Sequence, residues 1–280
     1  MKRILVAGKG SYIGNYFKNY IESASSDFIV DELDTIGFDP ETCEFDQIDT
    51  IVYVAGIAHI KETKENRDLY YKVNRDLTLE VAKKAKEQGV KQFVFLSTMS
   101  VYGMESGVIT NDTKPAPKNS YGESKLQAEE LLDSLNDESF KVVVLRPPMV
   151  YGKGCKGNFQ TVLKIVDKIP VFPKINNRRS MIYIDNLCEF IKLCVEQERQ
   201  GLYFPQNREY VNTSDMAKVI ADEKGKKVFF SKVLGFGVCL LRPFVSMANK
   251  AFGNLTYEGT EKDDFSYCVV DETQSFKRSI

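Results

Sequence analysis

MKRILVAGKGSYIG (1–14) opens the chain with an apolar run, a cluster of glycines and the start of a periodic segment. Lys2–Ala7 is an apolar run of strand length, and Gly8, Gly10 and Gly14 punctuate the residues after it. Tyr12, Ile13, Tyr16, Phe17, Tyr20 and Ile21 then recur with helical spacing. A strand, a glycine turn and a helix therefore succeed one another within the first two dozen residues. Such a turn brings backbone N–H groups and the positive end of a helix dipole to one place, which suits a pyrophosphate. Gly14, one turn into the helix, lets helix and strand pack closely. The bland alternative is an ordinary tight turn, and the strand–turn–helix setting argues for a dinucleotide site instead.

Outward from this unit the alternation continues. Phe28–Leu33 and TIVYVA (50–55) read as strands, as do Gln92–Leu96 and Lys141–Leu145. Leu69, Val73, Leu77, Val81, Ala82 and Ala85 mark a long helix ended at Gly89, and another helix runs from about Ser120 to Leu135. This is the pattern of βαβ units on a parallel sheet. After Arg146, prolines at 147, 148, 170, 173 and 205 break the rhythm. Met181–Ile184 reads as a strand followed by an amphipathic helix. The expected architecture is α/β: a Rossmann-type doubly wound parallel sheet in residues 1–153, joined again by about 180–200, and a smaller C-terminal domain over 154–280. Only about 16 residues separate the second strand from TIVYVA, so one βα pair is abbreviated.

Composition narrows the function classes. With 280 residues and a formal charge of −1, the chain has the size for a full core and lacks the basic excess of a nucleic-acid surface. The six cysteines show no CxxC pair and read as reduced thiols. One histidine, His59, allows no histidine-rich metal motif, and no metal is expected. The N-terminus does not read as a signal peptide, so the expected compartment is the cytoplasm. Val233–Leu241 is the longest apolar run, too short to span a bilayer, and reads as a buried or interfacial helix. Its roles in view are a homodimer contact or closure of the second domain.

The chemistry-bearing residues cluster at strand and helix ends. Tyr121-Gly-Glu-Ser-Lys125 opens a helix, placing Tyr121 and Lys125 on one face; of the 14 tyrosines only Tyr121 has a lysine four residues on. A phenol titrates near pH 10, and a fixed ammonium beside an oxidised nicotinamide lowers that value toward neutrality. Ser97 and Thr98 follow the strand FVFL (93–96), at the edge where ligands of such sheets bind. Their hydroxyls serve either a ligand or simple turn capping.

Taken together, the glycine turn, residues 73–103, the YGESK block, RPPMVYG (146–152) and RSMIYID (179–185) resemble the extended short-chain dehydrogenase/reductase family of nucleotide-sugar epimerases, dehydratases and reductases. The resemblance implies that Thr98, Tyr121 and Lys125 are catalytic, with Lys125 also holding the nicotinamide ribose. It implies NAD or NADP as cofactor, bound by Gly8, Lys9, Gly10, Ser11, Tyr12, Ile13 and Gly14, by Ala55, Gly56 and Ser97, and by the loop at Pro148. It makes Thr98, Asn158 and Arg179 substrate contacts, the last suited to a diphosphate. Residues 146–159, 173–187 and 252–257 are similar to bacterial capsule and O-antigen reductases of UDP-4-keto-6-deoxy-N-acetylhexosamines, whose relatives include UDP-sugar 4-epimerases. The implied activity is reduction at C4 of such a UDP-sugar, the alternative is 4-epimerisation with tightly held NAD, and a non-catalytic dinucleotide sensor ranks behind both. Two departures stand out. Ser11 replaces the family's middle glycine, and Asp31, Glu32 and Asp34 compete as the ribose acid. Lys9 is read either as a contact to the 2′-phosphate of NADP or as a solvated turn lysine.

Overall fold

Strand β1 (Lys2–Ala7) lies at the point where the strand order of a six-stranded parallel sheet reverses. Its neighbours are β2 (Phe28–Leu33) on one side and β3 (Thr50–Tyr53) on the other. Beyond β3 come β4 (Gln92–Leu96), β5 (Lys141–Leu145) and β6 (Gly201–Tyr203), giving the order β6-β5-β4-β3-β1-β2. This computed structural model describes residues 1–280 apart from 25, 59, 61, 242–248, 250 and 260–263. The fold is the expected α/β, Rossmann-type parallel sheet. No helix or strand lies between Leu33 and Thr50, which is the abbreviated βα pair and leaves β2 at the sheet edge.

The central strands β3 and β4 are buried on both faces, as a parallel sheet between helices requires, while the edge strands β2 and β6 are partly exposed. Leu5 and Ala7 join Ile51, Tyr53, Phe93 and Phe95 in a core that also takes Val81, Ala82, Ala85, Ala128 and Leu132 from the covering helices. Helix α1 (Tyr12–Ala24) follows the glycine turn and buries Gly14, Phe17 and Ile21. A continuous helical run then comprises α2 (Arg67–Tyr71), a π-helical turn at Lys72–Asp76 and α3 (Leu77–Glu87). Helix α4 (Ser120–Asp133) carries the YGESK block.

The chain divides into two compact units: residues 1–103, 115–147 and 187–205 in the first, residues 104–114, 148–186 and 206–280 in the second. The second unit is built from short parallel strand pairs, among them Met149–Tyr151 with Met181–Tyr183 and Val171–Pro173 with Phe229–Ser231. Its core holds Tyr151, whose hydroxyl meets Ser275 and Asn207, against Phe159, Tyr183 and Phe276. The apolar segment forms the helix Lys232–Leu241, and of its two readings, buried or interfacial, burial is not met: Val233 is 83% exposed, Phe236 67% and Leu240 59%. Gly235 alone is buried, because its backbone lies against the Lys174 carbonyl, where a Cβ would sit 2.1 Å from the oxygen. Glycine at that position makes a close approach, so the larger side chains around it face outward.

Candidate active site

The glycine turn is fixed from both neighbouring strands. The Ala7 carbonyl accepts from the amides of Val54 and Ala55 at 2.9 and 3.0 Å, and the amides of Gly8 and Lys9 donate to the Leu33 carbonyl at 3.0 and 3.1 Å. Gly8 has φ +123°, and a Cβ there would sit 2.8 Å from the Ala55 nitrogen. Only glycine lets β1 turn this tightly against Ala55. Gly14 is equally confined, since an added Cβ would meet the Ser11 hydroxyl oxygen at 2.7 Å. Ser11 is the departure from the three-glycine pattern, and its hydroxyl accepts from the Gly14 amide at 3.1 Å, capping α1. Gly10, at φ +75°, has nothing within 4 Å of an added Cβ. Backbone open to approach beside the start of a 13-residue helix, whose first residues are Tyr12 and Ile13, is a cradle that fits a pyrophosphate. Lys9 is exposed in this turn.

Thr98, Tyr121 and Lys125 are brought together. Asn119 caps α4 by accepting from the Gly122 amide at 2.8 Å. Gly122 then packs on the turn after β4, where a Cβ would lie 2.7 Å from the Ser100 carbonyl oxygen. That close approach sets the start of α4 against Thr98, and it is the reason a glycine follows Tyr121. Thr98 accepts from the Ser100 amide at 3.1 Å and hydrogen-bonds Tyr121. Its hydroxyl thus caps the turn and also meets the phenol. Lys125 is 4% exposed, donates to the Leu96 carbonyl at 2.9 Å and lies 4.5 Å from the centre of the Phe95 ring.

The electrostatics differ from the simple expectation. Burial pushes the Tyr121 phenol above its ordinary value, with the Thr98 hydrogen bond pulling the other way. Burial likewise pushes Lys125 down to about 7, which the Glu129 carboxylate partly opposes. In the protein alone, therefore, Lys125 does not lower Tyr121. Desolvation acts on both groups and favours the neutral form of each.

Asn74 is a residue that sequence pattern does not single out. It sits in the π-helical turn, wholly buried, donating to the Ile57 carbonyl and the Ser124 hydroxyl at 3.1 Å and accepting from the Ile57 amide at 2.9 Å. It ties the loop after β3 to α4. Gly56, at φ +155°, runs past it, and a Cβ there would be 2.8 Å from the Asn74 oxygen and 3.3 Å from the Lys125 nitrogen. Ala55 and Gly56 thus lie between the glycine turn and Lys125. The only sequence signal for Asn74 is an asparagine interrupting a helical pattern, a π-bulge being invisible to periodicity.

The remaining candidates are distributed. The Ser97 hydroxyl is committed to the buried Glu129 carboxylate, which Arg146 holds through Nε and Nη2 while Nη1 reaches the Tyr102 hydroxyl at 2.7 Å. The hydroxyl proton of Ser97 is thus engaged within the protein, while its oxygen retains acceptor capacity. Of the competing acids, Asp31 pairs with Arg3 at 2.9 Å and Glu32 with Lys18 at 2.7 Å, whereas Asp34 lies just past the end of β2 and accepts from the Ile36 amide. Pro148 is the buried first residue of a segment of the second unit. Arg179 also belongs to that unit; its Nη1 donates to the Gly253 carbonyl at 3.1 Å while its buried Nε has no hydrogen-bond partner among the described residues. Asn158 opens the helix Asn158–Lys168, but its side chain lies outside the described residues, as does His59.

Comparison with known proteins bears on the family and the fold. Residues 4–211 match the model of the NAD dependent epimerase/dehydratase family. The chain is 34% identical over 182 residues to a UDP-glucose 4-epimerase of Vibrio cholerae, covering 61% of this chain and 56% of that protein. The match thus spans little more than half of that relative. It is 26% identical over 247 residues, 80% of this chain and 73% of the other, to the N-acetyl-alpha-D-glucosaminyl-diphospho-ditrans,octacis-undecaprenol 4-epimerase of Escherichia coli O157:H7. In fold it is similar to UDP-glucuronic acid 4-epimerase from Bacillus cereus in complex with NAD, with a TM-score of 0.76 at 18% identity, covering 99% of this chain and 97% of that one.

Proposed function

The chain belongs to the NAD dependent epimerase/dehydratase family, and from that premise we propose that it is an NAD(P)-dependent enzyme acting at C4 of a sugar carried on a diphosphate. The observation that carries this reading is the meeting of Tyr121, Thr98 and Lys125 beside the glycine turn. When bound, the dinucleotide supplies or accepts the hydride. Tyr121 gives its phenolic proton to the C4 oxygen as a keto sugar is reduced, and Thr98 hydrogen-bonds the same oxygen and the phenol. Lys125, one turn away, holds the nicotinamide ribose and, as an ammonium, steadies the phenolate left behind. Gly8–Gly14 takes the pyrophosphate, with Ala55 and Gly56 lining the next stretch. Asp34, the acid of the three without a cationic partner among the described residues, is assigned to the adenosine ribose, which favours NAD over NADP. Within the second unit, the buried Arg179 Nε is an unused donor of the kind that suits a diphosphate.

The first direction we assign is reduction of a UDP-4-keto-6-deoxy-N-acetylhexosamine, for surface polysaccharide synthesis. It is supported by the likeness of RPPMVYG and its neighbouring blocks to such reductases. The second is 4-epimerisation, supported by the activities of the two relatives. Incubation with reduced nicotinamide and the keto sugar, and separately with UDP-glucose and UDP-N-acetylglucosamine, distinguishes them. Loss of reduced-nicotinamide absorbance with the keto sugar alone supports the reductase. Isomerisation of a UDP-sugar without added reductant supports the epimerase. Neither result, with dinucleotide bound, would overturn the proposal.

A further inference from the structure

The helix Lys232–Leu241 presents an outward face formed by Val233, Phe236 and Leu240, with Leu234 and Leu241 at its margin, all exposed. Phe229, 69% exposed on the strand before it, adds to the same region of the chain. Single exposed apolar residues need no explanation, but several on one short helix do. The opposite side of the helix is fixed, because Gly235 lies on the Lys174 backbone. The helix therefore cannot bury this face by rotating without breaking that contact.

Charge indicates what covers it. Between Glu223 and Glu258 the sequence carries six cations and no acid, although the whole chain is at −1. Lys224 and Lys226 pair with Asp167, whereas Lys227 and Lys232 are exposed and have no acidic partner among the described residues. Apolar side chains on one face of a short helix, flanked by lysines and free of acids, are complementary to an anionic lipid surface. No helix among the described residues is long and apolar enough to cross a membrane. A second copy of the chain is the less suitable occupant, since it would bring its own uncompensated lysines to the same place.

We propose that the Lys232–Leu241 helix docks on the surface of an anionic bilayer, with Val233, Phe236 and Leu240 entering the acyl boundary and Lys227 and Lys232 meeting the head groups. This surface is independent of the reaction at Tyr121. Because the chain contains no tryptophan, Phe236→Trp places a single reporter on the face. Its emission should shift to the blue on addition of phosphatidylcholine vesicles containing phosphatidylglycerol, and much less with phosphatidylcholine alone. The unsubstituted chain should float with the anionic vesicles, and the triple variant Val233→Ser, Phe236→Ser, Leu240→Ser should bind them at least about tenfold more weakly. Unchanged circular dichroism would show that this variant is folded. Absence of flotation overturns the proposal. So does a dimer in sedimentation without lipid that the triple variant abolishes, which would assign the face to a second copy.

Discussion

Lys125 meets several of the groups described for the site: Leu96 and Phe95 beneath it, Gly56 beside it, Tyr121 one turn before and Glu129 one turn after. Its ammonium ordinarily titrates at 10.5 and burial holds it at about 7. Between these values the unfolded chain binds a proton that the folded chain does not, so this group makes stability rise with pH across that window. Below about pH 7 the penalty is present in full. Lys125→Met removes it, so the variant should be the more stable protein at pH 7, and its advantage over the unsubstituted chain should shrink as pH approaches 10. Urea titrations at several pH values measure this; an advantage independent of pH would contradict the burial argument. Tyr121 and Lys125 were legible in the sequence because helical spacing puts them on one face. Their shifted acidities were not, because desolvation depends on what three separate segments place around them.

At the scale of elements, the turn after β1 separates two uses of glycine. Gly8 is confined by the Ala55 backbone, so Gly8→Ala should cost at least about 2 kcal/mol and lower Tm by several degrees. Gly10 faces open space, so Gly10→Ala should cost only about 1 kcal/mol for its positive φ while placing a methyl where the pyrophosphate approaches. Thermal unfolding with and without dinucleotide distinguishes the two: Gly8→Ala lowers the baseline, and Gly10→Ala reduces the ligand-induced rise. Between β4, α4 and β5, the buried Arg146–Glu129 pair makes a different prediction. Either Arg146→Met or Glu129→Leu alone should destabilise by about 3–5 kcal/mol, while the double variant should cost clearly less than the sum. Equilibrium unfolding of the four proteins measures that coupling. The order of strands and helices was readable from apolar runs and glycine punctuation. Local pattern could not reveal the π-helical turn holding Asn74, nor that Gly122 is where α4 meets the Thr98 turn, since both arise from packing between distant segments.

At the scale of the molecule, the doubly wound parallel sheet was legible from the first residues onward, its strand order was not, and the missing βα pair was visible as a short gap before TIVYVA. The second unit was readable only as a change of rhythm, because its short strands pair with partners far away in sequence. The apolar run at 233–241 left two readings open for a related reason: composition records how apolar a helix is, not whether anything covers it. What joins the scales is the claim that a proton moves at Tyr121 while a hydride moves at C4. The most direct test is turnover of a UDP-4-keto-6-deoxy-N-acetylhexosamine and of UDP-glucose by the unsubstituted protein and by Tyr121→Phe, with dinucleotide affinity measured in parallel. Tyr121→Phe should keep its dinucleotide and lose about 10²- to 10⁴-fold in rate on whichever sugar the protein accepts. Turnover at an undiminished rate by Tyr121→Phe would contradict that claim.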